Sequence, residues 1–209
     1  MTSRLRIRNR SAEWFTRKEI QVGRIVAAEY LSLDGVAEDP GPAGEYEHRG
    51  WTVPYWNDEI STWQTDQLFT SEALLLGRVT YEEFVASWPL RSGDPFSDRM
   101  NSLPKFVAST TLREPLEWNS TLLAGDVVEA VANLKQQIGG DILIYGSGAL
   151  VNTLLPHGLI DEYRFMIYPL VLGRGERLFR DDNDKTTLTL KQSKTASTGV
   201  TMLVCEPAA

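Results

Sequence analysis

The sequence has very few of the residues that form disulfides and metal sites. Its 209 residues include one cysteine, Cys205, and two histidines, His48 and His157, which lie far apart in the chain. A single cysteine cannot form an intramolecular disulfide. Two separated histidines with no cysteine beside either give little basis for a metal centre. We therefore expect no internal disulfide and no bound metal.

The sequence also lacks long hydrophobic runs and an excess of positive charge. No stretch approaches the roughly 18 apolar residues that cross a bilayer. The formal net charge is −7, and an acidic surface repels the phosphate backbone of nucleic acids. The composition predicts a cytoplasmic protein with neither a membrane span nor a nucleic-acid partner.

The start of the chain differs in composition from the rest. Residues 1–20 carry six basic and two acidic side chains and lack the apolar segment of a secretory signal peptide. A nucleic-acid arm, a transit peptide and an artefactual start are the alternatives for this segment. We predict a basic, partly disordered N-terminal extension over residues 1–22 and one domain over residues 23–209.

Strand and helix patterns alternate from residue 24 onward. Short apolar segments that end at glycine, such as residues 72–77 and 141–146, are typical of buried strands. Residues 127–138 have apolar side chains at helical spacing, and the last strands are joined by a turn near residues 197–199. The order predicts an α/β domain with a mostly parallel central sheet, helices on both faces and antiparallel C-terminal strands.

One predicted strand ends in Gly146-Ser147-Gly148 and leads directly into a helix. In open α/β sheets ligands bind beyond the carboxyl ends of the strands. Glycines allow a ligand to approach the backbone, and the free N–H groups of a helix start attract phosphate. Val151 departs from the dinucleotide-binding fingerprint, so a tight turn that binds nothing is the alternative.

Two further strand ends carry groups suited to phosphate. Arg78 and Thr80 follow Gly77, and a guanidinium can bind a phosphate through two hydrogen bonds. The alternative is a surface pair between Arg78 and Glu82. The hydroxyls of residues 109–111 can donate to a phosphate or close a turn. Together the three strand ends predict a site for a dinucleotide with an extra phosphate, which favours NADPH over NADH.

These segments resemble the dihydrofolate-reductase-like superfamily. The closer similarity is to the reductase domain of the riboflavin-biosynthesis deaminase-reductases and its stand-alone bacterial relatives. It covers residues 24–205, and the matching segments are EYLSLDGV, LLLGRVTYEEF, KFVAST, ILIYGSGALVNTLLPHGLIDEYRF and YPLVLGRGERLF. The resemblance implies a dihydrofolate-reductase-like fold and a homodimer.

The same resemblance implies an NADPH-dependent oxidoreductase, similar to dihydrofolate reductase or to 5-amino-6-(5-phosphoribosylamino)uracil reductase. Its substrate would be a small planar nitrogen heterocycle, either pterin-like or pyrimidine-like. Val36 stands where riboflavin-pathway reductases commonly have lysine, which weakens the case for a ribityl-phosphate substrate. A non-catalytic NADP-binding protein and a flavin- or drug-binding relative are the alternatives.

The resemblance also implies roles for individual residues. The implied cofactor-binding residues are Ala28, Gly77, Arg78, Thr80, Ser109, Thr110, Thr111, Gly146, Ser147, Gly148, Ala149 and Leu150. Gly146-Ser147 matches a cis Gly-Gly bond of dihydrofolate reductases, so a cis or strained peptide is expected there.

On the substrate side, Ser32 and Asp34 match the loop between cofactor and substrate, and Trp56 could stack on a planar ring unless it is a core residue. The proton is expected from water polarised by Asp34, Asp58 or Glu59, with Asp34 and Asp58 as the catalytic candidates. Asp58 and Glu59 could instead serve only to stabilise a helix start.

Overall fold

The computed structural model describes residues 22–181 and 183–208. The predicted N-terminal extension lies almost entirely outside these residues. Within them the chain forms eight strands: β1 (Arg24–Ser32), β2 (Ser71–Gly77), β3 (Lys105–Ala108), β4 (Ser120–Leu123), β5 (Asp141–Tyr145), β6 (Glu162–Tyr168), β7 (Leu188–Thr195) and β8 (Thr201–Pro207). The α-helices are α1 (Asp58–Thr70), α2 (Arg78–Ser87), α3 (Pro95–Ser102), α4 (Val127–Gln137) and α5 (Gly148–Leu154).

All eight strands belong to one sheet in the order β4-β3-β2-β5-β1-β6-β8-β7. The six strands from β4 to β6 are parallel, whereas β8 runs antiparallel to both β6 and β7. The turn between β7 and β8 is closed by the Ala196 N–H, which donates to the Val200 carbonyl oxygen at 2.8 Å. The predicted α/β sheet with antiparallel C-terminal strands is confirmed.

Alternating side chains of β1 supply the two faces of the core. Ile25, Ala27 and Leu31 pack with buried residues of α4 and α5. Val26 and Ala28 point to the other face, where they pack with buried residues of α1, α2 and α3. Since successive strand residues face opposite sides, this alternation confirms that helices cover both faces.

Side-chain caps fix where the longer helices begin. The Asn57 side chain accepts a hydrogen bond from the Ile60 N–H at 3.0 Å, and Asp126 accepts from the N–H groups of Val128 and Glu129. Such caps satisfy backbone donors that have no partner inside the helix. The start of α1 lies at the carboxyl edge of the sheet. The chain reaches α1 from the end of β1 at that edge, and α1 then leads to β2, which begins at the opposite edge.

Helix α3 was not predicted from the sequence pattern. It begins after Asp94, whose side chain accepts from the Ser97 N–H at 2.9 Å, and it buries Met100 against the sheet. Its eight residues are too few and too polar to show a clear helical pattern. In the described part of the chain, none of the helices has both the length and the apolar composition needed to cross a membrane.

Candidate functional site

The carboxyl ends of β2 and β5 meet at one edge of the sheet. The Gly77 N–H donates to the Ser147 hydroxyl oxygen at 2.9 Å. A Cβ atom added at Gly77 would lie 3.4 Å from the Ser147 Cβ, and one added at Gly146 would lie 3.8 Å from the Thr80 side chain. The structure therefore brings together four of the predicted cofactor residues from two segments that are distant in sequence.

The glycine turn adopts a left-handed backbone. Gly146 has φ +61° and Ser147 has φ +66°, a region that non-glycine residues seldom occupy. In the described part of the chain the cis bond is Glu114-Pro115, so the Gly146-Ser147 bond is trans and the cis form of the prediction is wrong. The strain at this turn lies instead in the positive φ of Ser147. Two consecutive positive φ angles turn the chain into α5 without a cis peptide, and the hydrogen bond between Ser147 and Gly77 holds this conformation.

Gly148, Ala149 and Leu150 form the first turn of α5. The first N–H groups of a helix have no acceptor inside that helix. The Leu150 N–H donates to the Ser147 carbonyl oxygen at 2.8 Å, which leaves those of Gly148 and Ala149 for a ligand. Leu150 is buried against the core, whereas Ala149 is exposed. Ala28 is buried on the neighbouring strand, and its carbonyl oxygen lies 3.5 Å from the Gly146 nitrogen. All of these residues lie at the same edge as Gly77.

Arg78 forms the surface ion pair with Glu82 that was the alternative to phosphate binding. Its Nη1 lies 2.7 Å from a carboxylate oxygen of Glu82, one helical turn away, and both side chains are nearly half exposed. Exposed pairs of this kind contribute about 0.3–0.5 kcal/mol. Such a weak pair can be exchanged for a phosphate contact at little cost, so the predicted role of Arg78 stays a prediction.

The strand end at residues 109–111 closes a turn. The Ser109 hydroxyl oxygen accepts from the N–H groups of Thr111 and Leu112 at 3.1 and 3.0 Å. Thr110 and Thr111 are exposed. Because Ala108 pairs in register with Gly77, these hydroxyl residues lie beside the start of α2.

Asp34 anchors a distant loop. Its carboxylate accepts hydrogen bonds from the Ser32 hydroxyl at 2.7 Å and from the N–H groups of Leu172 and Gly173 at 3.1 and 2.8 Å. These bonds, chiefly the one from Ser32, lower the pKa of Asp34 to about 2. The carboxylate is therefore ionised at neutral pH and carries no proton to donate.

The two acids at the start of α1 have different environments. Asp58 is exposed at the first position of the helix. Glu59 accepts from the N–H and the hydroxyl of Ser197, both at 2.7 Å, and these bonds lower its pKa. Glu59 thus fixes the turn between β7 and β8, while Asp58 remains open to solvent.

The aromatic cluster before α1 divides into core and surface. Trp51 is buried, donates from its ring nitrogen to the Glu38 carbonyl oxygen at 2.8 Å, and packs edge-on against Tyr168. Tyr55 also packs edge-on against Tyr168. Trp56 is 51% exposed. Trp56 is thus the member of this cluster with a ring face available for stacking on a planar ligand.

Sequence reasoning missed a polar network under α1. The Gln67 side-chain amide donates to the Tyr145 hydroxyl at 3.0 Å, and that hydroxyl donates to the main-chain carbonyl oxygen of Gln64 at 3.3 Å. The side-chain amide of Gln64 in turn donates to the Tyr30 hydroxyl. Burial raises the pKa of Tyr145 far above its usual range, so its hydroxyl keeps its proton. Two glutamines on the inner side of α1, between Ile60 and Leu68, were the available signal.

A buried carboxyl group was missed as well. Glu29 is 3% exposed, and burial raises its pKa to about 8. The signal was a glutamate inside an otherwise apolar strand. Among the described residues, no group of three or more His, Cys, Asp or Glu side chains is arranged to hold a metal ion.

Comparisons with known proteins agree with this geometry. The family model for the RibD C-terminal domain matches residues 24–202. YyaP, an uncharacterized protein of Bacillus subtilis, is 30% identical over 186 residues, which cover 87% of this chain and 93% of YyaP.

Two solved structures share the fold at low sequence identity. A pyrimidine reductase-like protein from Corynebacterium diphtheriae superposes with a TM-score of 0.60 and 15% identity, covering 89% of this chain and 92% of its own. Dihydrofolate reductase from Enterococcus faecalis, solved with NADP(H), superposes with a TM-score of 0.57 and 13% identity, covering 89% and 97%. These similarities confirm the dihydrofolate-reductase-like fold, and the family match over most of the chain establishes that this protein belongs to the RibD C-terminal domain family.

Proposed function

We propose that this protein is an NADPH-dependent reductase that transfers a hydride to a small planar nitrogen heterocycle. The observation that carries the proposal is the junction at the carboxyl edge, where the Gly77 N–H bonds the Ser147 hydroxyl and Gly146 lies against Thr80. Ligands of open α/β sheets bind at such an edge. The RibD C-terminal domain family and the NADP(H)-bound dihydrofolate reductase of the same fold support a nicotinamide cofactor.

The residues of this edge fit a phosphorylated dinucleotide. The turn from Gly146 to Gly148 leaves its backbone accessible, and the N–H groups of Gly148 and Ala149 at the start of α5 can donate to a pyrophosphate. The Leu150 N–H donates to the Ser147 carbonyl oxygen, so Leu150 would contribute by packing behind this turn. Thr80 supplies a hydroxyl beside this turn. The small side chain of Ala28 leaves room for a flat ring against β1.

A second set of groups would hold the extra phosphate of NADPH. Arg78 supplies a guanidinium at the start of α2, and Ser109, Thr110 and Thr111 supply hydroxyls on the neighbouring strand end. Arginine binds phosphate through two charge-assisted hydrogen bonds. NADH lacks this phosphate, so these residues would select NADPH.

The bound cofactor supplies the hydride, and the protein supplies alignment and proton control. Asp34, with a pKa of about 2, would orient a water molecule instead of carrying the proton itself. Asp58 at the open start of α1 is the second candidate for orienting water. Ser32 positions Asp34, and Trp56 offers an exposed ring for stacking on the heterocycle.

The residue at position 36, Val36, narrows the range of candidate substrates. Val36 is fully buried and pairs with Arg177, so position 36 presents no charged group to a ligand. Reductases of the riboflavin pathway resemble this chain but commonly have lysine there. We therefore favour a heterocycle without a ribityl phosphate.

A homodimer fits the exposed apolar side chains that follow β6. Val171 is 68% exposed, Phe179 38% and Leu190 55%. Contact with a second copy would remove such apolar surface from water, which favours association. Sedimentation equilibrium of the purified protein tests the dimer directly.

The cofactor assignment is tested by Arg78→Ala, with Arg91→Ala as the control because Arg91 packs over Trp88 away from the carboxyl edge. Loss of a charge-assisted phosphate contact should weaken NADPH binding by about 1.5–3 kcal/mol, or about 10- to 150-fold. NADH binding should change little. Fluorescence titration measures both affinities, and an equal loss for the two cofactors would remove Arg78 from the phosphate site.

The reductase activity is tested separately from binding. NADPH oxidation is followed with a panel of pterins and pyrimidines as acceptors. Tight NADPH binding without oxidation by any acceptor would favour the non-catalytic alternative, and a purified protein that retains bound flavin would favour the flavin-binding one.

A further inference from the structure

Glu29 places a carboxyl group among apolar core residues. On β1, Ile25, Ala27 and Leu31 belong to the core cluster that packs against α4 and α5, and the alternation of the strand puts Glu29 on the same face. Glu29 is 3% exposed, and its Oε1 has no hydrogen-bond partner within the described residues. Buried polar groups are nearly always hydrogen-bonded, so this one needs an explanation.

Glu29 lies where the sheet opens at the candidate site. β1 pairs with β5 only as far as Ala28 with Tyr145, whereas it continues along β6 to Ser32. Glu29 is therefore the first residue of β1 beyond the last pair with β5. Its partner on β6 is Phe165, and on the β5 side the next residue is Gly146, which has no side chain. The carboxyl group thus lies beside the opening between β1 and β5, level with the glycine turn.

No charged group near Glu29 compensates for its burial. Burial raises the pKa of Glu29 to about 8, so the group is neutral at pH 7. α5 carries no titratable side chain, and the titratable side chains of the buried cluster on this face are Tyr163 and Cys205, whose pKa values burial also raises. The next residue of β1, Tyr30, is on the opposite face, where burial raises the pKa of its phenol. The charged residues of the segment that includes buried Leu178 are exposed: Glu176, Arg177, Arg180 and Asp181. Glu29 is accordingly the group on this face that changes its charge near pH 8.

A neutral carboxyl group has a defined hydrogen-bonding complement. It presents an O–H donor and a C=O acceptor side by side. A planar amide edge, with an N–H next to a C=O, matches both groups at once. Such an edge occurs in the carboxamide of nicotinamide and in the lactam of a pterin or pyrimidine.

We infer that Glu29 is a ligand-binding residue whose neutral carboxyl group pairs with an amide edge of a molecule bound between β1 and β5. The inference rests on the proposed function, because the amide edge would belong either to the nicotinamide of NADP or to the heterocyclic substrate. Glu29 adds a contact from the face of the sheet opposite α1.

The test compares wild type with Glu29→Gln and Glu29→Leu by isothermal titration calorimetry at pH 7 and pH 9. The probes are NADP⁺, 2′-phospho-ADP-ribose, which lacks the nicotinamide, and folate added to the NADP⁺ complex. Glu162→Gln is the matched control, because Glu162 is a buried acid of β6 that has Arg24 and Arg164 as partners. Thermal unfolding of each variant verifies that it is folded.

For wild type we expect affinity for the probe that bears the amide edge to be about tenfold lower at pH 9 than at pH 7, because a group of pKa about 8 is mostly ionised at pH 9. Glutamine keeps an adjacent donor and acceptor, so Glu29→Gln should bind within about threefold of wild type without this pH dependence. Glu29→Leu should bind at least about tenfold more weakly at pH 7, while it unfolds at a higher temperature. Glu162→Gln should bind all three probes as wild type does.

The two sources of the amide edge give different results. A loss for NADP⁺ with unchanged 2′-phospho-ADP-ribose binding assigns Glu29 to the nicotinamide, and a loss for folate alone assigns it to the heterocycle. Wild-type affinity of Glu29→Leu for both NADP⁺ and folate would overturn the inference and leave the proposed function intact. If wild type bound neither NADP⁺ nor folate, the inference and the proposed function would both be overturned.

Discussion

The buried carboxyl of Glu29 should make the stability of this protein depend on pH in an unusual direction. Glutamate has a pKa of 4.5 in its ordinary state, and burial raises the pKa of Glu29 to about 8. Between these values the unfolded chain has released the proton while the folded chain still holds it. Stability therefore falls as pH rises from about 4.5 towards 8, and the loss is complete above the folded pKa.

The magnitude follows from the width of this window. One pKa unit corresponds to about 1.36 kcal/mol, so between pH 5 and pH 7 the contribution of Glu29 to the free energy of unfolding should fall by about 2–3 kcal/mol. Glu29→Gln removes the titrating group but keeps a polar side chain of the same shape. The difference in unfolding free energy between wild type and this variant isolates Glu29 from all other titrating groups.

Urea denaturation followed by circular dichroism at pH 5, 6, 7 and 8 gives the required free energies. Wild type should lose stability relative to Glu29→Gln with each step in pH. Glu29→Leu should be the most stable of the three at pH 7, because an apolar side chain suits the surrounding core. Parallel stability curves for wild type and Glu29→Gln would refute the reasoning, since they would mean that Glu29 has the same pKa in both states.

Two other substitutions probe the site. Asp34→Ala removes the acceptor of the Leu172 and Gly173 N–H groups and should lower the free energy of unfolding by about 1–2 kcal/mol, an effect reduced by solvent exposure. The pKa of Asp34 is lowered to about 2, so its contribution to the free energy of unfolding is present above about pH 4 and is lost as pH falls. The unfolding free energies of wild type and variant, measured by urea denaturation, should therefore become equal near pH 2. Gly77→Ala should leave the thermal midpoint nearly unchanged, because Gly77 has φ −77° and the new methyl would lie 3.4 Å from the Ser147 Cβ. It should weaken NADPH binding at least about tenfold in a fluorescence titration, and unchanged affinity would show that the cofactor does not approach the backbone there.

The sequence pattern predicted the framework of this site because its determinants are local. The strand that ends at Gly77 and the turn from Gly146 to Gly148 are each specified by a short apolar segment followed by glycine, and both lie where expected. The hairpin before β8 was also predicted from a local turn signal. Because the carboxyl ends of parallel strands lie at the same edge of a sheet, the meeting of these ends was foreseeable.

The roles of the acids could not be predicted because they depend on long-range contacts. Asp34 accepts hydrogen bonds from residues 138 and 139 positions away, and Glu59 accepts from Ser197, 138 positions away. Nothing near either acid in the sequence indicates these partners. The left-handed backbone of Ser147 is likewise accompanied by a long-range contact, because the Ser147 hydroxyl accepts from the Gly77 N–H of another strand.

The two outer strands of the sheet limit what the molecule can assemble with. β4 has only four residues, and β7 has an irregular register between Leu190 and Gln192 together with the charged side chains of Lys191 and Lys194. Short, distorted and charged border strands resist pairing with a strand from another copy. Self-association of this protein should therefore proceed by stacking of side-chain surfaces, and uncontrolled growth of the sheet into fibres is disfavoured even at high protein concentration.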